Sequence, residues 1–144
     1  MSQVDVIHLG APSLGWGPVD RMASLAAELL EGTYETALPH QSNAVSKLLA
    51  PTRHRPGGPH DRGLLVIARR PYDLRADILP PGLMRAYGWA IAWVIDSFRH
   101  EDIPKRWRIG PYDAIAVSRP NDEEPFRRAF RKPVLVLPWG CLLY

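Results

Sequence analysis

Cysteine is nearly absent from this chain. Cys141 is the only one among 144 residues, which excludes an internal disulfide and any cysteine-clustered zinc site. Long apolar runs are missing as well, and none approaches the roughly 20 residues that a membrane span needs. The start, Met1-Ser2-Gln3-Val4-Asp5, has no basic segment followed by an apolar stretch, so it does not read as a secretory signal. Together these absences point to a cytoplasmic, reducing compartment. Internal repeats and low-complexity tracts are lacking. His40, His54 and His60 have no metal-ligand spacing, and no metal is expected. Gly10, Gly15 and Gly17 do not form the G-x-G-x-x-G pattern, so NAD is rejected and no cofactor is expected.

What is present suits one globular domain. Apolar residues make up 46% and charged residues 23% of the chain, ordinary proportions for a soluble fold able to bury a sizeable core. The net charge is +3. Much of the excess sits in Lys105-Arg106-Trp107-Arg108, in Arg127-Arg128 and in Arg131-Lys132. Such runs are ordinarily solvated helix faces. Their functional alternatives are an anionic membrane surface, a phosphorylated ligand or nucleic acid. Nucleic acid has the least support, because no recognised motif accompanies the charge.

The C-terminal stretch carries the strongest pattern. Three short apolar runs each end in a polar loop: Trp89 to Ile95 before Asp96-Ser97-Phe98, Tyr112 to Val117 before Ser118-Arg119-Pro120, and Val134 to Leu137 before Pro138-Trp139-Gly140. Uninterrupted apolar runs fit strands covered on both faces, hence a parallel sheet. Upstream, Val4–Leu9 reads as a strand and leads into a glycine- and proline-rich loop. A helix is expected from Val19 to Glu31, with Met22, Leu25, Ala26, Leu29 and Leu30 at helical spacing and Gly32 as its stop. Tyr34–Leu38 and Gly63–Ala68 complete the strands. Gln41 to Leu49 is expected as a short helix and Pro51 to Arg62 as a mobile loop. Leu74 to Tyr87 reads as partly helical, broken by Pro80-Pro81-Gly82. His100 to Trp107 reads as a short helical connection. Asn121 to Phe130 has acids at its start and bases at its end, as the helix dipole prefers. The expected fold is α/β, a doubly wound, mostly parallel sheet of about six strands.

Open parallel sheets bind ligands beyond the carboxyl ends of their strands, and the candidate residues lie there. Gly15 and Gly17, just ahead of a helix, either admit an anion or a sugar hydroxyl to backbone N–H groups or simply make a tight connection. Asp96 ends a buried strand, where a carboxylate needs partners or water. It either caps the following turn or orients and deprotonates a substrate hydroxyl. His100 is close enough to pair with it, although its charged setting favours a surface role. Ser118 and Arg119 follow the next strand, and Arg119 is either a phosphate or carboxylate ligand or a salt-bridge partner. Trp139 beside Gly140 offers an aromatic face to a sugar or base, or plugs the sheet edge. His8 reads as a satisfied histidine at the edge of the core.

Trp93-Val94-Ile95-Asp96, Tyr112-Asp113-Ala114-Ile115 and Pro133-Val134-Leu135-Val136-Leu137-Pro138-Trp139-Gly140, in that order, resemble the second half of the N-terminal domain of GT-B glycosyltransferases. The likeness is greatest to the family-4-like and spore-maturation-type group. The opening strand, loop and helix also fit, whereas Gln41 to Arg62 matches nothing in the group. The resemblance implies a Rossmann-like domain that holds the sugar acceptor. A second Rossmann-like domain would hold the nucleotide-sugar donor, and that domain and its paired glutamates are absent from this sequence. The histidine that retaining members place near the fourth strand end has no match, since Asp96 and Ser97 stand there. The chain therefore reads as a truncated or split half, meeting its donor only with a second domain or chain. In this reading Asp96 is catalytic, and Gly15, Gly17, Ser97, Ser118, Arg119, Trp139 and Gly140 line the substrate side.

The rival expectation is a stand-alone, non-catalytic Rossmann-like module. It would bind a small anion, or dock on a partner subunit or a second copy through Leu142-Leu143-Tyr144. A third is peripheral membrane contact through Lys105 to Arg108, with Trp107 at headgroup level.

Overall fold

The first strand, β1 (Gln3–Leu9), is buried from Val4 onward, so side chains of both faces are covered, the polar Asp5 and His8 among them. The computed structural model describes residues 3–10, 17–37, 58–80 and 82–138. After β1 come helix α1 (Gly17–Leu29), β2 (Tyr34–Ala37), β3 (Arg62–Ala68), β4 (Trp89–Val94), β5 (Ala114–Val117), helix α2 (Glu123–Phe130) and β6 (Val134–Val136). All six strands pair in parallel, in the order β2-β1-β3-β4-β5-β6. The fold is a doubly wound, Rossmann-like α/β sheet, as the strand pattern predicts.

Handedness places the layers. The β1-α1-β2 and β5-α2-β6 crossovers run in opposite directions along the sheet, so right-handed connections put α1 and α2 on opposite faces. Beneath α1 lie Val6, Ile67, Trp93, Ile95 and Ala116. On the other face, Phe126 and Phe130 of α2 join Leu64, Val66, Tyr112 and Ile115. Phe126 is 1% exposed, and truncating such a residue to alanine costs about 3–5 kcal/mol.

The buried face of α1 differs from the one its leucines predict. Val19, Ala23 and Ala27 face the sheet, while Leu25 and Leu29 are 49% and 77% exposed. Small residues at four-residue spacing let the helix lie close on the strands. The glycine stop also works differently. Glu31 takes the left-handed position, with φ of 56°. Gly32 is needed for space, since a Cβ there would lie 1.8 Å from the Val4 carbonyl oxygen.

Between β3 and β4 the chain makes three 3-10 turns, Pro71–Leu74, Ala76–Ile78 and Leu83–Ala86, where a broken helix was expected. Pro80 and Gly82, the latter with φ of 76°, keep them from merging. His100–Asp102 and Arg106–Arg108 are likewise 3-10 turns, separated by Pro104. The expected helix Gln41 to Leu49 and the expected loop as far as position 57 lie outside the described residues.

Two long-range ties fix the sheet. At the amino edge, Asp5 accepts hydrogen bonds from the Thr33 N–H (2.9 Å), from Arg62 Nε and Nη2 (3.1 and 2.7 Å) and from the Tyr87 hydroxyl (3.0 Å). Burial opposes its charge, but these donors outweigh it and hold its pKa below the ordinary value. At the other edge, Trp93 Nε1 donates to the Leu137 carbonyl at 3.0 Å, reaching past β5. Among the described residues, no helix is long and apolar enough to cross a membrane.

Candidate functional site

The strand order reverses direction between β1 and β3, and a doubly wound sheet opens a crevice at such a point. The last residues of β1 and β3 therefore mark the first place to look. His8 is fully buried there, and its Nδ1 lies 2.5 Å from Asp20 Oδ1 in the first turn of α1. The Tyr34 hydroxyl, from β2, donates to the same carboxylate oxygen at 2.5 Å. On the opposite side, Arg69 Nε donates to His8 Nε2 at 3.3 Å. Because a guanidinium only donates, Nε2 is the acceptor and Nδ1 carries the proton given to Asp20. Burial works against the Asp20 charge, but the Tyr34 and His8 hydrogen bonds prevail and lower its pKa. Burial and the adjacent Asp20 carboxylate raise the Tyr34 pKa well above its ordinary value.

Gly10 makes room for this arrangement. Its φ is 143°, and a Cβ there would sit 2.6 Å from Arg69 Cζ. The arginine head thus lies directly over the end of β1, where a side chain of any size would displace it.

A second cluster closes the ends of β4 and β5. Its centre is Asp122, fully buried at the entry to α2. Ser97 Oγ donates to it at 2.5 Å, Arg119 Nε and Nη2 each donate at 3.0 Å, and His100 Nε2 lies 2.7 Å away. The Ser118 N–H donates to Ser97 Oγ (3.1 Å) and the Ser118 hydroxyl to the Val94 carbonyl (2.9 Å). Burial disfavours the Asp122 charge, yet hydrogen bonds from Arg119, Ser97 and His100 hold its pKa down to about 2.

These contacts sort the sequence candidates. Ser97 and Arg119 converge on an internal carboxylate, and Ser118 joins only through the Ser97 hydroxyl. Ser97 is wholly buried with its proton directed to Asp122, and the aspartate lies between serine and histidine. A nucleophilic serine needs its histidine in the middle, so Ser97 is a structural strut. His100, expected at the surface with Asp96 as its alternative partner, pairs with Asp122, because the 3-10 turn at His100–Asp102 carries it toward α2. Arg119 is a salt-bridge partner whose guanidinium also lies 5.2 Å from the Phe98 ring centre.

Asp96 is half-buried, and its N–H donates to the Arg69 carbonyl at 2.9 Å. It stands next to the β1/β3 crevice, and no hydrogen bond or ion pair engages its carboxylate among the described residues. Gly17 opens α1 with open space where a Cβ would project. Gly15, Trp139 and Gly140 lie outside the described residues.

Sequence reasoning named His8 as a satisfied histidine, and its ring hydrogen bonds with Asp20 and Arg69 agree. It missed Asp20, Tyr34, Arg69 and Asp122. Asp122 had one legible signal, its spacing of three from Arg119 across Pro120-Asn121. Asp20 and Tyr34 had none, since only the close approach of α1 and β2 at β1 brings them to His8. Among the described residues no group of three His, Cys, Asp or Glu side chains is arranged to hold a metal ion. Compared with models of known families, with curated proteins and with solved structures, the chain matches none.

Proposed function

We propose that the chain is the acceptor-side domain of a GT-B-type sugar transferase, binding a sugar acceptor at the carboxyl edge of its sheet. The nucleotide-sugar donor would come from a second Rossmann-like domain or chain. The observation that carries the reading is an available carboxylate, Asp96, beside the Arg69–His8–Asp20 arrangement at the reversal of strand order. Sugar transfer requires removal of a proton from an acceptor hydroxyl, and a carboxylate within hydrogen-bond reach serves as base or as orienting group. Asp96 would take that role. Arg69, whose head is placed over the end of β1 by His8 and Gly10, would border the acceptor. Asp20, by fixing the His8 ring, is a positioning residue. Ser97, Ser118 and Arg119 support the reading only indirectly, by shaping the loop that presents Asp96.

The test is an amide-resolved NMR titration of the chain with a panel of methyl glycosides, a nucleotide sugar and inorganic phosphate. The expected result is perturbation of Gly10, Arg69, Asp96 and Ser97 by at least one glycoside, weakened about tenfold or more by Asp96→Asn, or about 1.4 kcal/mol. Perturbation by phosphate alone would favour the rival small-anion module. If Asp96→Asn and Gly17→Val both left glycoside binding unchanged, those residues would lose their assignment.

A further inference from the structure

The fold joins two basic segments that lie about a helix apart in sequence. Between the His100–Arg108 connection and α2 lies an open concavity of about 640 Å³. Its rim carries Lys105 and Arg106 on one side, Arg128 and Arg131 on the other, and His100 at one end. Its floor is apolar, with Ile103 and Ala129, so the long aliphatic stems have a surface to lie on and the charged heads stay at the rim.

Charge bookkeeping separates this surface from an ordinary solvated helix face. The two acids of the first turn of α2 are engaged, Glu123 by Arg127 and Glu124 by Arg128 at 2.9 Å. Asp102 lies 3.8 Å from Arg99, and Asp122 is held by Arg119 and His100. Among the described residues, no carboxylate lines the concavity. Lys105, Arg106 and Arg131 have no acidic partner within 4.0 Å among the described residues. Of the rim cations, Lys105, Arg106 and Arg131 thus stand together without acids; such like charges repel one another, and a bound polyanion relieves that repulsion. Arg131 adds a second sign. It occupies the left-handed position after α2, with φ of 57°, where glycine is the residue of least strain. A positive charge at a helix C-terminus is favourable in itself, but Lys105 and Arg106, on a separate segment, have no such reason to face it.

We propose that this concavity binds the phosphate groups of a ligand carrying at least two of them. Guanidinium forks match phosphate oxygens in pairs, and several converging cations suit a compact polyanion. The site is independent of the acceptor edge, since Asp96, Arg69 and His8 take no part in it.

The experiment is calorimetric titration of the full chain with inorganic pyrophosphate at low salt, beside co-sedimentation with phosphatidylcholine vesicles with and without phosphatidylglycerol. Both are repeated on Arg106→Ala/Arg131→Ala and on Arg21→Ala, an exposed α1 cation away from the concavity. Thermal melts of each variant confirm folding. Lys105→Ala/Arg128→Ala serves as the second variant if the first fails to fold. Pyrophosphate binding that weakens about tenfold or more in the rim variant, but not in Arg21→Ala, supports a soluble phosphate ligand. Binding confined to phosphatidylglycerol vesicles, whose headgroups carry one phosphate each, would overturn the two-phosphate ligand in favour of an anionic membrane surface. Absence of both, or equal weakening by Arg21→Ala, overturns the proposal in favour of diffuse charge.

Discussion

The Ser97 hydroxyl and the Asp122 carboxylate meet at 2.5 Å with both side chains fully excluded from solvent. The two residues come from different strand ends, and their bond closes the carboxyl edge between β4 and α2. An ionised buried carboxylate persists only when several donors surround it. Here Ser97, Arg119 and His100 supply them.

Replacing Asp122 with asparagine is expected to cost about 2–4 kcal/mol at neutral pH, because Arg119 loses its counter-charge. Acid should narrow the difference. The folded pKa of Asp122, about 2, lies below its unfolded value. Its contribution is therefore complete above about pH 4 and disappears as the pH falls through about 2. Urea unfolding of both proteins at a series of pH values measures the gap. A gap that stays constant down to pH 2 would remove the charge from the explanation.

Tyr112 supplies the opposite case. It is fully buried, and its hydroxyl has no hydrogen-bond partner among the described residues. Tyr112→Phe should be neutral or stabilising by up to about 1 kcal/mol, since it deletes an unsatisfied polar atom without leaving a cavity. Burial raises the Tyr112 pKa, with the Asp73 charge adding to it. The folded protein therefore loses stability relative to the unfolded chain as the pH rises past about 10, where unfolded tyrosine ionises. The variant should show a smaller alkaline loss in denaturant melts.

Two glycines should respond in opposite ways. Gly32→Ala forces a Cβ against the Val4 carbonyl, so a loss of more than about 2 kcal/mol is expected from displacement of α1 relative to β1. Gly17→Ala meets open space in the first turn of a helix. It should leave stability unchanged or raise it by up to about 1 kcal/mol. Paired thermal melts decide both.

The tautomer of His8 can be read directly. Nitrogen-15 NMR of the ring should show Nδ1 protonated and Nε2 as acceptor, as the Asp20 and Arg69 contacts require. Tyr34→Phe should preserve that pattern at a cost of about 1 kcal/mol. Asp20→Asn should weaken it. A protonated Nε2 in the unaltered neutral ring would mean that Arg69 does not hold this edge.

Much of the fold was legible because a parallel sheet writes itself as short apolar runs. Every expected strand is present within about two residues of its expected ends, and the chain of strand ends placed Asp96 at the carboxyl edge. Periodicity failed where size mattered more than polarity: α1 buries alanines and exposes Leu25 and Leu29. It also failed in the proline-rich connections, whose 3-10 turns have too few residues to show a period. The site was half legible for a related reason. Ser97, Ser118 and Arg119 were found from position, but Asp122, the carboxylate that Ser97 and Arg119 share, looked like a helix-start acid. The Asp20–His8–Tyr34 contacts depend on how three elements pack, and spacing along the chain carries no trace of that.

The bond from the Trp93 indole to the Leu137 carbonyl has an optical consequence. β6 is three residues long and lies at the sheet edge, so it is the strand with least backbone pairing to hold it. Trp93 is rooted two strands inward, in β4, with its ring nitrogen tied to the residue that follows β6. Departure of β6 would change the polarity around a buried indole before the centre of the sheet opened. With the other four tryptophans replaced by phenylalanine, the molecule thus carries its own fluorescent gauge of edge fraying.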